Sequence, residues 1–247
     1  GPLVALRGPD GSPRRLPRTE FLPAGVSYNE TTGAYTLDPS HPAYQSLGAG
    51  ETETVSVRLS TVENGRIVPV ILSWTITGEN DAPVVTVVDP RAGSEKDTPE
   101  RVSLNLFRDL TSVQDIDRTD RPAFAAGSAV VAAAAGSNTS DTSLISVDQT
   151  TGDISYDRAS FNFLGAGQSA IFTVSFDVIS GPDRIHEVVT LTITGENDAP
   201  IVSATNPATG SEKDGSEQVS FNLFGLVTAH DADQTDTPAY KTDSVLV

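Results

Sequence analysis

Two loops of the chain carry closely spaced carboxylates of the kind that bind hard cations. The pattern D-x-D-x-x-D occurs at 115–120 and again at 231–236. Carboxylates two residues apart in a loop can converge on one cation, and Ca2+ takes about six to eight oxygen ligands. For one isolated pattern, an Asx turn or a solvated acidic loop is the simpler interpretation. Its recurrence, together with an acidic linker, favours a Ca2+ site.

The linker belongs to a longer repeat that organises the whole chain. Thr-Gly-Glu-Asn-Asp-Ala-Pro stands at 77–83 and at 194–200, which sets a period of 117 residues. Other motifs recur on that spacing: Gly-Ser-Glu-Lys-Asp from Gly93 and Gly210, Asn-Leu-Phe from Asn105 and Asn222, and Leu-Gly-Ala-Gly from Leu47 and Leu164. A fixed period of this kind indicates a tandem array of domains.

The residues between these motifs predict an all-β fold. Apolar and polar side chains alternate over 102–106, 172–178 and 189–194, so each strand has one buried and one solvated face. Further short strands are expected at 84–88, 144–147 and 154–156, the last two joined by a hairpin turn at 150–153. About seven short strands per repeat predict tandem immunoglobulin/cadherin-like antiparallel β-sandwich domains. The single tryptophan, Trp74, falls at an inward position of such a strand.

The phase of the repeat predicts one complete and two partial domains. Residues 83–199 form a complete β-sandwich repeat, whereas 1–82 match the C-terminal half of a repeat and 200–247 the N-terminal half. Neither half is expected to close a two-sheet core alone. We therefore expect complementary halves to complete each other between neighbouring chains, unless the chain is an excerpt of a longer polypeptide.

Composition restricts the partners. The chain carries 33 acidic and 16 basic residues, a net charge of −17, and contains no cysteine. Such a surface disfavours nucleic acid and anionic membranes, because both are themselves negatively charged. The sequence contains no run of about 18 apolar residues that would predict insertion into a membrane. Disulfides and thiolate metal sites are excluded because they require cysteine.

The linker motif and its surroundings resemble VCBS repeats, the cadherin-like tandem domains of large bacterial RTX-type surface adhesins. Residues 76–83 and 193–200 are similar to the closing motif of those repeats, and residues 34–38 and 47–52 to their late part. A wider similarity to cadherin-like domains lies in the Asn-Asp-Ala-Pro linker, the Asp-x-Asp that follows it, and the segment 151–158. The resemblance implies a protein of the extracellular space or the bacterial cell surface.

The resemblance also implies where Ca2+ binds, because cadherin-like arrays hold it at domain junctions. The 77–83 junction would use Asp38, Glu79, Asn80, Asp81, Asp115 and Asp117. The 194–200 junction would use Asp157, Glu196, Asn197 (through its carbonyl), Asp198, Asp231 and Asp233, and Glu95 could join it. Ala82 and Ala199 replace an expected Asn ligand, and Ala159 replaces a rim carboxylate. One or two ions per junction are therefore expected.

These features predict a structural extension module of a secreted or cell-surface bacterial adhesin or filament. Ca2+ would stiffen its junctions by converting repulsion between carboxylates into shared coordination, and neighbouring copies of the repeat are the expected partners. The alternative is a module that binds a surface carbohydrate or protein. An aromatic content of 6% leaves few rings for sugar stacking. No enzyme is expected, because His41, His186 and His230 lie in unrelated sequence contexts.

Overall fold

The computed structural model describes residues 4–7, 13–16, 22–63, 66–90, 93–205, 225–239 and 241. Strands run throughout these ranges, and the helical structure that they contain is of the short 3-10 kind, as at Thr142–Leu144 and Arg158–Phe161. The all-β fold class predicted from the alternating pattern is confirmed. None of the helical turns in these ranges has the length and apolar character of a membrane-spanning helix.

The chain divides into two compact units, and each is described separately. The first contains Gly1–Val85, Val113–Ala123 and Ile179–Ile185, and the second contains Thr86–Ser112, Phe124–Val178 and His186–Val247. The division therefore groups the segment 113–123, with its D-x-D-x-x-D pattern, with the first linker. It groups the second pattern with the second linker.

The first unit is built around a long hairpin. The strands in its N-terminal part are β1 (Val4–Arg7), β2 (Pro13–Leu16), β3 (Val26–Asn29), β4 (Ala34–Leu37), β5 (Thr52–Glu63) and β6 (Arg66–Thr77). One sheet has the order β1-β2-β5-β6, and β3 pairs with β4 in a second sheet. The buried core consists of Val26, Tyr44, Leu47, Val55, Val57 and Ile76. Trp74 is half-buried and packs against this core, as its position in the alternating pattern predicts.

The later strands form the second unit and parts of the first. They are β7 (Val84–Val87), β8 (Gly93–Ser94), β9 (Arg101–Asn105), β10 (Thr111–Gln114), β11 (Ala123–Phe124), β12 (Val130–Ala133), β13 (Ser146–Val147), β14 (Asp153–Asp157), β15 (Ser169–Ser180), β16 (Asp183–Thr194), β17 (Ile201–Ala204) and β18 (Val227–His230). One sheet has the order β11-β15-β16-β8, with β12 also on β15, and another has the order β13-β14-β9. Strands β7 and β10 form a two-stranded sheet, as do β17 and β18.

The core of the second unit lies between its two larger sheets. On β15, every second side chain from Phe172 to Val178 is buried, as the alternating pattern predicts. The ring of Phe161 bridges the sheets, because its centroid lies 6.2 Å from Phe172 on β15 and 6.0 Å from Tyr156 on β14. Two sheets that share one apolar core make this unit a β-sandwich.

Two details differ from the simple alternating pattern. Strand β8 pairs in parallel with β16, with Gly93 opposite Ile193, in a sheet predicted to be antiparallel. The strand expected at 144–147 contains only Ser146–Val147. A carboxylate oxygen of Asp141 accepts a hydrogen bond from Ser143 N at 3.0 Å, and this cap holds Leu144 in a 3-10 turn.

Candidate metal centres

The first D-x-D-x-x-D pattern folds into a compact group of carboxylates immediately after β10. Oxygen atoms of Asp115, Asp117 and Asp120 all lie within 4.8 Å of one another. Asp115 Oδ1 accepts a hydrogen bond from Asp117 N at 3.0 Å, which turns the loop back on itself. Only 2% of Asp117 is exposed. The carboxylates that the sequence places two residues apart therefore do converge.

The same loop holds the linker. Asp117 Oδ2 accepts a hydrogen bond from the backbone N–H of Asp81 at 2.9 Å. Arg118 N donates to Ser46 O at 3.1 Å, which joins the loop to the turn that contains Leu-Gly-Ala-Gly. Three motifs that are far apart in the sequence thus meet at one place in the first unit.

Glycines explain why the motifs can approach so closely. A Cβ atom at Gly78 would lie 2.2 Å from Leu47 O, and one at Gly48 would lie 2.6 Å from Thr119 Oγ1. The obstacle at Gly78 is backbone, so glycine is required there for packing, whereas a side chain at Gly48 would displace the Thr119 hydroxyl. Gly50 adopts a φ of 77°, which glycine tolerates, and Gly-Ala-Gly forms a tight turn into β5.

A hairpin tip in the first unit also contacts this group. Ser180 Oγ donates a hydrogen bond to Asp115 Oδ2 at 2.5 Å, and Asn80 Nδ2 donates to Asp183 Oδ2 at 2.7 Å. Between them, a Cβ atom at Gly181 would lie 2.1 Å from Asp120 Oδ2. The tip therefore fixes the orientation of Asp115 and of the linker residue Asn80.

The second pattern has the same geometry in the second unit. Oxygen atoms of Asp231, Asp233 and Asp236 lie within 4.8 Å of one another. Asp233 is 2% exposed, and its Oδ2 accepts a hydrogen bond from Asp198 N at 3.0 Å. Gln234 N donates to Phe163 O at 3.0 Å, as Arg118 N does to Ser46 O in the first unit. The pattern that is repeated in the sequence therefore makes the same hydrogen bonds in both units.

A further group of carboxylates adjoins the second pattern. Glu95, Asp97 and Asp198 have oxygen atoms within 4.8 Å of one another. The parallel pairing of β8 with β16 brings Glu95 here, because Glu95 N donates to Thr194 O at 2.9 Å. Glu95 Oε1 accepts from Glu196 N at 3.2 Å, and only 1% of Glu95 is exposed. Glu95 therefore contacts the 194–200 linker, and its role as a ligand there stays a prediction.

Several of these buried oxygens have no donor. Among the described residues, the buried carboxylate oxygens without a hydrogen-bond partner are Glu95 Oε2, Asp117 Oδ1, Asp120 Oδ2, Asp198 Oδ2 and Asp233 Oδ1. An anionic oxygen that is buried without a partner is costly, so an ion is one explanation for each of them. Oxygens on opposite sides of a Ca2+ ion lie about 5 Å apart, since each Ca–O distance is about 2.4 Å. No group is larger than that.

Crowding and burial also disfavour the charged forms of two residues. Burial raises the pKa of the Glu95 carboxyl, and the charges of Asp97, Glu196 and Asp233 raise it further, against the lowering effect of the Glu196 N–H bond. Burial likewise raises the pKa of Asp198 to about 6, assisted by the hydrogen bond and charge of Asp97. A divalent cation would reverse this preference because it favours deprotonated ligands.

The remaining predicted ligands are not members of these three groups. Glu79, Glu196 and Asn197 are exposed residues of the linkers. Asp38 is exposed, and its Oδ1 accepts from Ser40 N at 2.9 Å and from Ser40 Oγ at 2.6 Å. Asp157 caps a 3-10 turn by accepting from Ala159 N at 3.1 Å. The three groups contain neither Asp38 nor Asp157. They also contain none of the predicted linker ligands except Asp198; those left out are Glu79, Asn80, Asp81, Glu196 and Asn197. For all of these residues the role as ligands stays a prediction.

Three carboxylates of the groups were not among the predicted ligands. Asp120 and Asp236 end the D-x-D-x-x-D pattern, so their spacing was a usable signal. Asp97 ends the repeated Gly-Ser-Glu-Lys-Asp motif, which could be recognised as a repeat but not as a ligand segment. Its position depends on the β8–β16 pairing, which joins residues about 100 apart.

Comparisons with known proteins do not assign the chain to a family. No protein-family model matches the chain, and no curated protein matches it. Solved structures that resemble it include a crystal structure of the EC1-4 fragment of Drosophila N-cadherin. It is 15% identical, with a TM-score of 0.36, and the alignment covers 73% of this chain and 42% of that chain.

Proposed function

We propose that the chain is a structural extension module of a secreted or cell-surface bacterial adhesin or filament, and that Ca2+ stiffens its linkers. The observation that carries this proposal is the repeated burial of carboxylate oxygens that have no hydrogen-bond donor. It occurs beside both linkers, at Asp117 and Asp120 in one unit and at Glu95, Asp198 and Asp233 in the other.

Each linker would then join successive domains of an array. The proposed domains are 1–82, 83–199 and 200–247, so that Thr-Gly-Glu-Asn-Asp-Ala-Pro closes one domain and opens the next. Hydrogen bonds from Asp81 N to Asp117 and from Asp198 N to Asp233 already tie each linker to the loop that follows it. A cation bound by the loop carboxylates would strengthen that tie. Its loss would leave several like charges in contact at a hinge.

The affinity of the Ca2+ sites determines in which compartment they would be filled. Calcium sites of extracellular modules have dissociation constants of about 10⁻⁴–10⁻³ M. Sites of that affinity would be filled outside a cell and empty in a calcium-poor cytosol. A long array could therefore be exported while flexible and become rigid afterwards. The role would be mechanical rather than catalytic.

The test is a calcium titration of the whole chain by calorimetry, combined with thermal melting in Ca2+ and in a chelator. We expect binding, and a rise in melting temperature of several degrees, because a ligand that binds only the folded state stabilises it. Asp117→Asn and Asp233→Asn keep the size of the side chain and an oxygen that can accept the linker N–H, so they should weaken binding at one site each.

Asp141→Asn is the matched control. Asp141 is exposed and lies outside the three groups, and an asparagine can still accept the Ser143 N–H bond. This variant should bind and melt like the parent protein. If Ca2+ changes neither melting nor the hydrodynamic length of the parent chain, the proposed function is wrong. Glycan-array binding by the unmodified chain would support a recognition module instead.

A further inference from the structure

A cavity lies beside the first group of carboxylates. Its volume is about 910 Å³, and its lining residues all belong to the first unit. Asp115, Asp117 and Asp120 are among them. Pockets for small ligands typically have volumes of about 300–1,000 Å³. The candidate metal site of this unit therefore adjoins a space that is large enough for a further molecule.

The carboxylates that line this cavity leave coordination positions for such a molecule. Asp117 lines it although only 2% of Asp117 is exposed, and its Oδ1 has no hydrogen-bond partner among the described residues. Asp120 Oδ2 is likewise buried without a partner. Ca2+ takes about six to eight oxygens, so three carboxylates that give one oxygen each leave at least about three positions. Oxygens of a molecule in the cavity can fill them.

The second unit shows which neighbouring residues the carboxylate group does not need. The second D-x-D-x-x-D loop brings its carboxylates together and makes the same backbone hydrogen bonds as the first. Three positions nevertheless differ: Ile116, Arg118 and Arg121 of the first loop correspond to Ala232, Gln234 and Thr237 of the second. Convergence of the carboxylates therefore requires neither the isoleucine nor the two arginines.

A local partner accounts for Arg118 but not for Arg121. Arg118 Nε lies 3.1 Å from Glu51 Oε2 in an ion pair, and the second unit has glutamine at both positions. Arg121 Nη1 donates hydrogen bonds to two main-chain carbonyls, Arg118 O at 2.9 Å and Asp120 O at 2.7 Å. No carboxylate among the described residues forms an ion pair with Arg121. The backbone thus holds a guanidinium at the cavity whose Nε and Nη2 have no described acceptor.

Other parts of the cavity wall are aliphatic. Val84 is 66% exposed and Ile116 is 54% exposed, and both line the cavity together with Val113 and Pro122. No aromatic ring is among the described lining residues, so the cavity offers no ring on which a sugar could stack. An aliphatic side chain would remove the exposed apolar surface from water. These walls favour a peptide over a saccharide.

We propose that this cavity binds an acidic peptide segment of a partner protein. One carboxylate oxygen of the peptide coordinates the cation held by the three aspartates, and the other accepts a hydrogen bond from Arg121, whose planar fork suits a carboxylate. A neighbouring aliphatic side chain of the peptide packs on Val84 and Ile116. The inference rests on the proposed function for the cation, because without it the aspartates would repel an anionic ligand.

The test is an NMR titration of the isotope-labelled whole chain with the probe N-acetyl-Leu-Asp-Leu-amide. In Ca2+ we expect saturable shifts of the amide signals of Ile116 and Asp117. The affinity should be at least roughly tenfold weaker in a chelator, and also for the probe with Asn in place of Asp. Arg121→Thr installs the residue of the second unit and should weaken the probe about tenfold, the lower end for a hydrogen bond to a charged group. Its Ca2+ affinity should match that of the parent chain.

Arg58→Thr is the matched control. Arg58 is exposed on β5 and does not line the cavity, so the same change of charge there should leave binding of the probe unaltered. Binding that persists in chelator, or that Arg121→Thr leaves unchanged, overturns the inference. Ca2+-dependent binding of glucuronic acid without binding of the peptide also overturns it, and would assign the cavity to an acidic saccharide.

Calorimetry with Ca2+ separates this inference from the proposed function. If Ca2+ binds and raises the melting temperature but the probe does not bind even at millimolar concentration, the inference is wrong and the proposed function survives. If Ca2+ does not bind, the proposed function is wrong, and the inferred cation-dependent recognition is wrong with it.

Discussion

Replacing Gly195 by alanine tests whether the linker and the Leu-Gly-Ala-Gly turn must be in contact. The added Cβ would lie 2.2 Å from Leu164 O and 2.4 Å from Gly165 O. A carbon and a carbonyl oxygen ordinarily approach to about 3.3 Å, so the backbone must move by about 1 Å. Both oxygens belong to the backbone of a packed turn, so rotation of a side chain cannot relieve the clash.

The expected destabilisation exceeds that of an ordinary overpacked side chain. Overpacking costs about 1–3 kcal/mol, and a clash with backbone belongs at or above the upper end, at about 3 kcal/mol. For a unit of this size the melting temperature should fall by roughly 10 °C. Ca2+ affinity should fall as well, because the displaced Gly165 faces the Asp233 carboxylate, with its Cβ position 3.4 Å from Asp233 Cγ.

Gly136→Ala is the control for this experiment. Gly136 has a φ of 84°, but nothing lies within 4 Å of its Cβ position, so this variant incurs only the conformational cost of about 1 kcal/mol. Melting curves of both variants in Ca2+ and in chelator give the comparison. If Gly195→Ala melts no lower than Gly136→Ala and binds Ca2+ normally, the close contact does not organise the site.

Further predictions concern the carboxylates and one buried amide. Burial raises the pKa of Asp198 to about 6, so just below that pH the folded state binds a proton that the unfolded state does not. In chelator, stability should therefore increase as the pH falls from 7 towards 5, and Ca2+ should weaken or reverse this trend in melting experiments. Asp97→Asn should raise the melting temperature in chelator by removing a charge beside Glu95 and Asp198, yet reduce the increase that Ca2+ produces. Asn105→Ala should destabilise the second unit by about 3 kcal/mol in chemical unfolding. The reason is that its amide donates to Asp153 Oδ1 at 2.6 Å and to Thr151 O at 2.9 Å.

Local patterns in the sequence predicted the strands, turns and side-chain contacts that depend on residues close together in the chain. Alternation predicted β15 and the end of β16, because side chains two residues apart in a strand share a face. The turn at 150–153 followed from its residues too: Gly152 has a φ of 74°, and Asp148 accepts hydrogen bonds from Thr150 N and Thr151 N. The D-x-D spacing predicted that Asp115 and Asp117 converge, since their hydrogen bond spans only two residues.

The parts of the candidate sites that the sequence did not predict depend on contacts between residues far apart in the chain. Asp97 reaches Asp198 only because β8 adds to β16 in parallel, and nothing in the five residues around Asp97 indicates that pairing. The contacts of Ser180 with Asp115 and of Asp183 with Asn80 span 65 and 103 residues. Asp38 and Asp157 were also predicted as ligands, and each accepts an N–H two residues further along the chain, a contact that local pattern could have indicated. Asp157 also accepts the N–H of Glu100, 57 residues away, which local pattern could not have indicated.

The contacts around the two linkers also explain why distant motifs share one period. The second aspartate of each D-x-D receives the N–H of the linker, and the loop that carries it rests on a glycine of Leu-Gly-Ala-Gly. The linker glycine packs so closely against a carbonyl oxygen of the same turn that a side chain would not fit there. Each motif therefore fixes the position of the other two, even before a cation binds. A cation at Asp117 or Asp233 would add a further link to contacts that the backbone already makes. This is why its predicted effect is to stiffen the linker rather than to fold it.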